Sequence, residues 1–162
     1  MSPKLMLCGA ALVAILLAAG HTLGSPWTPA ADPSARDVVI AMQAYRFDVM
    51  GQPRSYYDFY EGFGWMLSAY LIGHAILFWQ LSGLATQRGL GVCPIVAVLC
   101  LESTVAALAA WRFLFWVPAV MSGAIAACLA LSVALMSTTA RRFKTPASPK
   151  AADQPQSNYP GH

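Results

Sequence analysis

The chain is dominated by apolar runs, each close in length to a membrane-spanning helix. A helix needs about 20 mostly apolar residues to cross the hydrocarbon core of a bilayer. Hydrophobic residues make up 57% of the chain and charged residues 10%, whereas soluble domains carry about 25% charged residues. The pattern therefore predicts an all-α, four-helix transmembrane bundle. Its spans are expected at about 5–22, 62–84, 92–111 and 117–136.

The first span has two interpretations. Lys4 followed by the apolar stretch 5–19 is compatible with a signal peptide, but the residues that follow make a poor cleavage site. The same stretch carries Ala10, Ala14 and Ala18 at four-residue spacing. Such a stripe of small residues lets helix backbones approach closely in lipid. We favour a helix that is retained in the mature protein.

Four spans place both termini on the same side of the membrane. With the termini in the cytoplasm, the inner side holds more basic residues than the outer side, as the positive-inside rule requires. The inner residues are Lys4, Arg88, Arg141, Arg142, Lys144 and Lys150, and the outer ones are Arg36, Arg46, Arg54 and Arg112. The sequence thus predicts a multi-pass protein of the bacterial inner membrane with cytoplasmic termini.

The chain divides into a membrane domain, residues 1–139, and a tail, residues 140–162. The tail is rich in Pro, Ala and Ser and has no apolar periodicity, which predicts a disordered cytoplasmic segment. The sizeable extramembrane element is the first outer loop, residues 23–61. The two termini therefore lie together on one side of the predicted bundle, and this loop lies on the other.

The outer loop is predicted to contain a short amphipathic helix. Asp32 is a suitable N-cap, with Pro33 at the first helical position. Apolar residues then recur at the spacing of one helical face, which predicts a helix lying flat with that face on the bundle. The residues of the face are Val38, Ala41, Met42 and Tyr45.

The second span is predicted to begin as a helix before it reaches the bilayer. Ser55, with Asp58 three residues later, resembles a capping box in which Asp replaces the usual Glu. Gly51 and Pro53 break the chain just before it. The helix should therefore start at about Ser55.

Two ionisable residues, His74 and Glu102, lie inside the second and third spans. At about 1.5 Å per residue, His74 lies roughly 18 Å below the outer edge of its span, and Glu102 roughly 15 Å above the inner edge of the next. These depths nearly coincide in a core about 30 Å thick. We therefore predict a His74–Glu102 hydrogen bond between antiparallel helices. Tyr70, one turn before His74, lies on the same face and completes an intramembrane polar core.

This polar core has a structural and a functional interpretation. As interhelical hydrogen bonding it would contribute about 0.6 kcal/mol. As a functional site it would relay a proton, or anchor a quinone-like or sterol-like ligand, because ionisable groups at membrane depth are costly and often functional. We favour the structural interpretation, and both remain open.

A second polar cluster is expected at the outer face. His21, Asp58, Glu61 and Arg112 fall at the outer ends of three spans and are predicted to meet beneath the loop. Aromatic residues are concentrated on this side, as an interfacial belt would be, and their excess makes the outer face the favoured place for a binding site. The simpler alternative is an Arg112–Glu61 salt bridge.

Metal and cofactor sites are not indicated. The cysteines have neither CxxC nor zinc-site spacing and are predicted to be small buried residues; they are Cys8, Cys93, Cys100 and Cys128. His21 and His74 lie at different depths, which disfavours a haem with two histidine ligands. No cofactor is therefore predicted, although a haem or a quinone stays open.

Part of the sequence resembles a signature of uncharacterised small bacterial membrane proteins with four predicted helices. The matching residues are Gly-His-Thr at 20–22 with Trp27, the segment 47–51, and Arg54-Ser55-Tyr56-Tyr57-Asp58-Phe59-Tyr60-Glu61-Gly62-Phe63-Gly64. The resemblance covers about the first half of the chain. It implies four helices and a shared outer loop, and it implies no activity.

Three functions are compatible with these features. The leading hypothesis is a non-enzymatic accessory or lipid- or hydrophobic-ligand-binding subunit, in contact with membrane lipids and with a larger membrane complex or a second copy. The alternative is a redox or proton-transfer component that uses Tyr70, His74 and Glu102. A small transporter module is the third. No motif of a soluble enzyme is present, no catalytic residue is predicted, and no nucleic-acid partner is expected.

Overall fold

The computed structural model describes residues 2–24 and 32–144, with side chains up to residue 138. This part of the chain is helical apart from one short hairpin, which confirms the all-α prediction in its main elements. The elements in chain order are α1 (Pro3–Gly24), α2 (Pro33–Ala44), β1 (Arg46–Val49), β2 (Gln52–Ser55), α3 (Tyr56–Arg88), a 3₁₀ turn (Gly89–Val92), α4 (Cys93–Phe113) and α5 (Trp116–Lys144).

Three helical stretches are long and apolar enough to cross a membrane: Pro3–Gly24, Tyr56–Phe113 and Trp116–Thr138. The middle stretch is 58 residues long, and a straight helix of that length would be roughly three times as long as a bilayer core is thick. The chain folds back instead, because His74 and Glu102, 28 positions apart, contact each other at 3.2 Å. α3 and α4 therefore form an antiparallel hairpin around the 3₁₀ turn.

The helices pack in the order α3, α1, α5, α4, with α1 and α5 in the middle. Neighbours run antiparallel: Thr22 near the end of α1 donates a hydrogen bond to Ser68 near the start of α3 at 2.9 Å. Ser132 near the end of α5 likewise donates to the carbonyl of Pro3 at 3.3 Å. α3 and α4 are not packed against each other along their lengths. The bundle is therefore open on the side between these two helices.

The small-residue stripe of α1 is buried between its neighbours. Ala10, Ala14 and Ala18 are 0%, 1% and 2% exposed. Their size allows α1 to approach both α3 and α5 closely, which is the packing expected of small residues in membrane helices. Leu7, Phe78 and Leu129 fill the space around them as the largest fully buried apolar side chains.

The structure has a β-hairpin that the sequence analysis did not predict. Arg46–Val49 pairs antiparallel with Gln52–Ser55, and the two residues between them, Met50 and Gly51, both have positive φ, 55° and 83°. This is the backbone of the tight turns that favour Gly or Asn. Aromatic contacts attach the hairpin and the residue before it to α3: Phe47 stacks on Phe59 and packs at a tilt against Tyr56, and Tyr45 stacks on Tyr56.

α2 forms with the predicted cap but not with the predicted packing. Asp32 accepts hydrogen bonds from the backbone and side chain of Ser34, and these bonds lower the pKa of the Asp32 carboxyl. No residue of α2 is buried, so the prediction that its apolar face lies against the bundle is wrong. The reason is its position: α2 contacts α3 and β2, beside the hairpin, so the predicted face is left uncovered at Val38, Ala41 and Tyr45 and only half-buried at Met42.

The start of α3 and the end of α5 can be compared with the predicted boundaries. Ser55 and Asp58 form the predicted capping box, with Ser55 N donating to Asp58 at 2.7 Å and Asp58 N donating to Ser55 Oγ at 3.2 Å. The helix accordingly starts at Tyr56. α5 continues to Lys144, past residue 139, where the sequence analysis places the end of the membrane domain. The rest of the predicted tail, residues 145–162, and residues 25–31 of the outer loop lie outside the described residues.

Candidate functional site

A groove lies between α3 and α4, on the open side of the bundle. It encloses about 350 Å³ and is mostly apolar. α3 contributes Tyr70, His74 and Phe78 to one wall, and α4 contributes Glu102, Ser103 and Ala106 to the other. The floor is made by Leu17 of α1 together with Ser122 and Ile125 of α5. The cavity thus lies inside the predicted membrane region and opens sideways between two spans.

The His74–Glu102 pair bridges the two walls of the groove. His74 Nε2 lies 3.2 Å from Glu102 Oε2, and the other ring nitrogen, Nδ1, lies 2.8 Å from the backbone carbonyl oxygen of Tyr70. A carbonyl oxygen only accepts hydrogen bonds, so Nδ1 carries a hydrogen and donates it. This second contact fixes the tautomer of His74.

The fixed tautomer limits which group donates the hydrogen bond between Nε2 and Oε2. When His74 is neutral with its hydrogen on Nδ1, Nε2 is an acceptor and Glu102 must donate as a carboxylic acid. When Nε2 also carries a hydrogen, His74 is a cation and Glu102 is a carboxylate. In both arrangements a single hydrogen bond joins Nε2 to Oε2 across the groove.

Two polar groups in the groove remain without a protein partner. Glu102 is 55% exposed at its side chain, and within residues 2–24 and 32–144 its Oε1 forms no hydrogen bond. The Tyr70 hydroxyl is likewise unbonded to these residues, although its side chain lines the groove. Tyr70 therefore joins the predicted polar core through its backbone carbonyl and not through its hydroxyl. The Ser103 hydroxyl, in contrast, has a partner, because it donates a hydrogen bond to the carbonyl of Leu99 at 2.8 Å.

The outer polar cluster does not assemble as predicted. His21 Nε2 donates to the carbonyl of Gly64 at 3.1 Å, Asp58 caps α3, and the Arg112 guanidinium lies 5.2 Å from the ring centroid of Phe113. Arg112 and Glu61 do not form the alternative ion pair. The physical reason is the groove: α3 and α4 are held apart there, so groups on their outer ends are not brought together.

The outer face has a cavity of its own, beside the hairpin. It encloses about 410 Å³ and is lined by Val49, Gln52, Arg54, Asp58 and Phe59. Its polar groups already bond to one another or to the backbone: Arg54 donates to Gln52 Oε1 at 2.7 Å, and Asp58 holds the capping box. The outer cavity therefore offers a ligand fewer unpaired groups than the groove does.

The cysteines are free thiols, and each is partly buried. Cys100 Sγ donates to the backbone carbonyl of Ala126 at 3.4 Å and so links α4 to α5. Cys128 packs near Gly9, where α5 crosses α1. These thiols contribute to helix packing and do not line the groove.

Sequence reasoning found the polar pair but not the cavity around it. Leu17, Ala106, Ser122 and Ile125 come from three helices and share no local pattern, so nothing in the sequence marks them as a set. Comparisons with protein families, with curated proteins and with solved structures find no match to this chain. The groove itself is therefore the basis for assigning a function.

Proposed function

We propose that the protein is a multi-pass protein of the bacterial cell membrane, with four spans and both termini in the cytoplasm. Large apolar side chains face outward along α4, including Val98, Leu101 and Leu108, which are 66%, 66% and 65% exposed. In water they would form an unusually large apolar surface. In a bilayer the lipid tails solvate these side chains, and each helix satisfies the hydrogen-bonding groups of its own backbone. The distribution of basic residues supports the orientation.

Within that membrane, the proposed role is non-enzymatic: the groove between α3 and α4 binds a hydrophobic ligand that enters sideways from the bilayer. One observation carries the proposal. The groove is an apolar cavity of about 350 Å³, the size of small-molecule pockets, and its lining includes Glu102 and Tyr70, two polar side chains that hydrocarbon cannot satisfy. As an accessory subunit, the protein would present this ligand to a membrane partner or to a second copy.

Filling the groove tests this proposal. Ala106→Phe places a ring in the cavity, because Ala106 is an exposed residue of its wall. We expect the variant, purified from cell membranes in mild detergent, to carry about tenfold less bound lipid than the wild type, a loss of about 1.4 kcal/mol in binding. The measurement is lipid extracted per mole of protein, quantified by mass spectrometry.

The matched control is Ala109→Phe. Ala109 is exposed on the same helix, one turn later, and does not line the groove. It should retain the wild-type amount of lipid. Equal lipid in the two variants, both eluting as monodisperse protein, would contradict the proposal, and so would wild-type protein that carries no stoichiometric lipid.

The second candidate function is proton transfer, for instance to or from a quinone-like ligand. It is favoured by the 3.2 Å contact between His74 Nε2 and Glu102 Oε2, because two ionisable groups in contact at membrane depth are typical of proton relays. Proton transfer requires a residue at position 102 that can gain and lose a proton. The ligand-binding role does not, and the variant Glu102→Gln therefore separates the two functions.

A further inference from the structure

We infer that the ligand of the groove is an uncharged lipid with a hydroxyl headgroup. The inference rests on the proposed binding function and narrows it to one chemical class: long-chain or isoprenoid alcohols and their relatives. Charged phospholipids and lipids whose oxygens only accept hydrogen bonds are excluded. Three features of the groove lead to this class.

The first feature is charge. The residues that line the groove, all of them described, include no lysine or arginine. Its ionisable members are His74 and Glu102, which contact each other at 3.2 Å, so His74 is already paired with a carboxyl group of the protein. An anionic phosphate or carboxylate head would therefore enter an apolar cavity without a counter-charge, which is costly. The cavity favours a neutral head.

The second feature is the free oxygen of Glu102. Oε2 makes the contact with His74, so Oε1 is an acceptor whether the hydrogen between the two groups belongs to His74 or to Oε2. It is the carbonyl oxygen of the acid in one state and a carboxylate oxygen in the other. A ligand that satisfies Oε1 must donate a hydrogen. Ethers, ketones and oxidised quinones have no such hydrogen, whereas an alcohol does.

The third feature is the free hydroxyl of Tyr70. The Tyr70 side chain lines the same cavity, and its hydroxyl can donate a hydrogen bond to a ligand oxygen. An alcohol group is both donor and acceptor, so it has the chemistry to pair with either of these two protein groups. The aliphatic part then lies along the apolar wall and extends through the opening between α3 and α4 into the bilayer.

The inference is tested with a headgroup series on one chain length. The wild type is placed in phosphatidylcholine nanodiscs with equal mole fractions of hexadecan-1-ol and its methyl ether, and separately with palmitate and hexadecyl phosphate. Native mass spectrometry then measures the ratio of ligand-bound forms. We expect the alcohol to exceed the ether about tenfold, because the ether gives Oε1 no donor in a surrounding of hydrocarbon, and to exceed both anionic lipids.

Two variants assign the effect to position 102. In Glu102→Gln the amide nitrogen can donate to His74 Nε2 while the amide oxygen remains free as an acceptor, so we expect the preference for alcohol to persist. Glu102→Leu removes that acceptor, and alcohol and ether should then bind equally. Loss of the preference in Glu102→Gln would overturn the assignment.

The outcomes also separate this inference from the proposed function. Equal binding of alcohol and ether to the wild type would overturn the inference, while lipid loss in Ala106→Phe would still support a ligand-binding groove. Absence of all four ligands from the wild type, with no effect of Ala106→Phe on bound lipid, would overturn both.

Discussion

Ala14→Phe is expected to prevent the bundle from assembling. Ala14 is 1% exposed on the helix that packs against both α3 and α5. A phenylalanine ring has no space there, and overpacking of this kind costs about 3 kcal/mol or more, a large part of the stability of a small domain. The measurement is the thermal unfolding of detergent-purified protein followed by circular dichroism, together with its elution in size-exclusion chromatography.

The matched control lies on the same helix. Ala19 is exposed, so Ala19→Phe adds the same ring on a lipid-facing side and should unfold close to the wild-type temperature. The packing account is contradicted if the two variants are equally stable. In that case α1 would not be the central helix, and the floor of the groove would be misassigned with it.

The second large effect is an all-or-none difference in labelling across the membrane. In a background without cysteines, Met50→Cys places a thiol at the tip of the β-hairpin, where Met50 is 99% exposed. Leu90→Cys places one in the turn between α3 and α4. With both termini in the cytoplasm, an impermeant maleimide should label position 50 in spheroplasts, and position 90 after the membrane is permeabilised.

The two sites control for each other: position 50 should react in both conditions, whereas position 90 should be protected in spheroplasts and react once the membrane is permeabilised. Both sites should label completely in detergent. Labelling of both positions from the outside would show that 56–113 does not cross the membrane twice. Reversed accessibility would keep the four spans and overturn their orientation.

Local features of this fold were predictable from the sequence because their causes are local. Asp32 with Pro33, and Ser55 with Asp58, satisfy the first backbone amides of α2 and α3, so the residues near each cap predict where each helix starts. The facing of His74 and Glu102 was predictable for a related reason. A helix rises by a constant amount per residue, which gives each residue a depth, and equal depths on antiparallel helices bring side chains together.

The features that sequence reasoning missed depend on distances between helices. The outer cluster of His21, Glu61 and Arg112 had suitable depths, but depth does not tell how far apart α3 and α4 lie, and the groove separates them. The hairpin was missed for a different reason. Its turn is Met50-Gly51, in which Met takes a positive φ that usually marks Asn, Asp or Gly, and Pro53 in β2 disfavours a strand.

The groove depends on a hydrogen bond between His74 Nε2 and Glu102 Oε2, with the His74 tautomer fixed by the carbonyl of Tyr70. Solid-state ¹⁵N NMR of the protein in phospholipid bilayers measures this directly, since the chain has 3 histidines and His74→Phe assigns the signal. The account predicts a protonated Nδ1, and an Nε2 whose resonance shifts in Glu102→Leu while Nδ1 stays unchanged. An unprotonated Nδ1, or an Nε2 indifferent to residue 102, would contradict it.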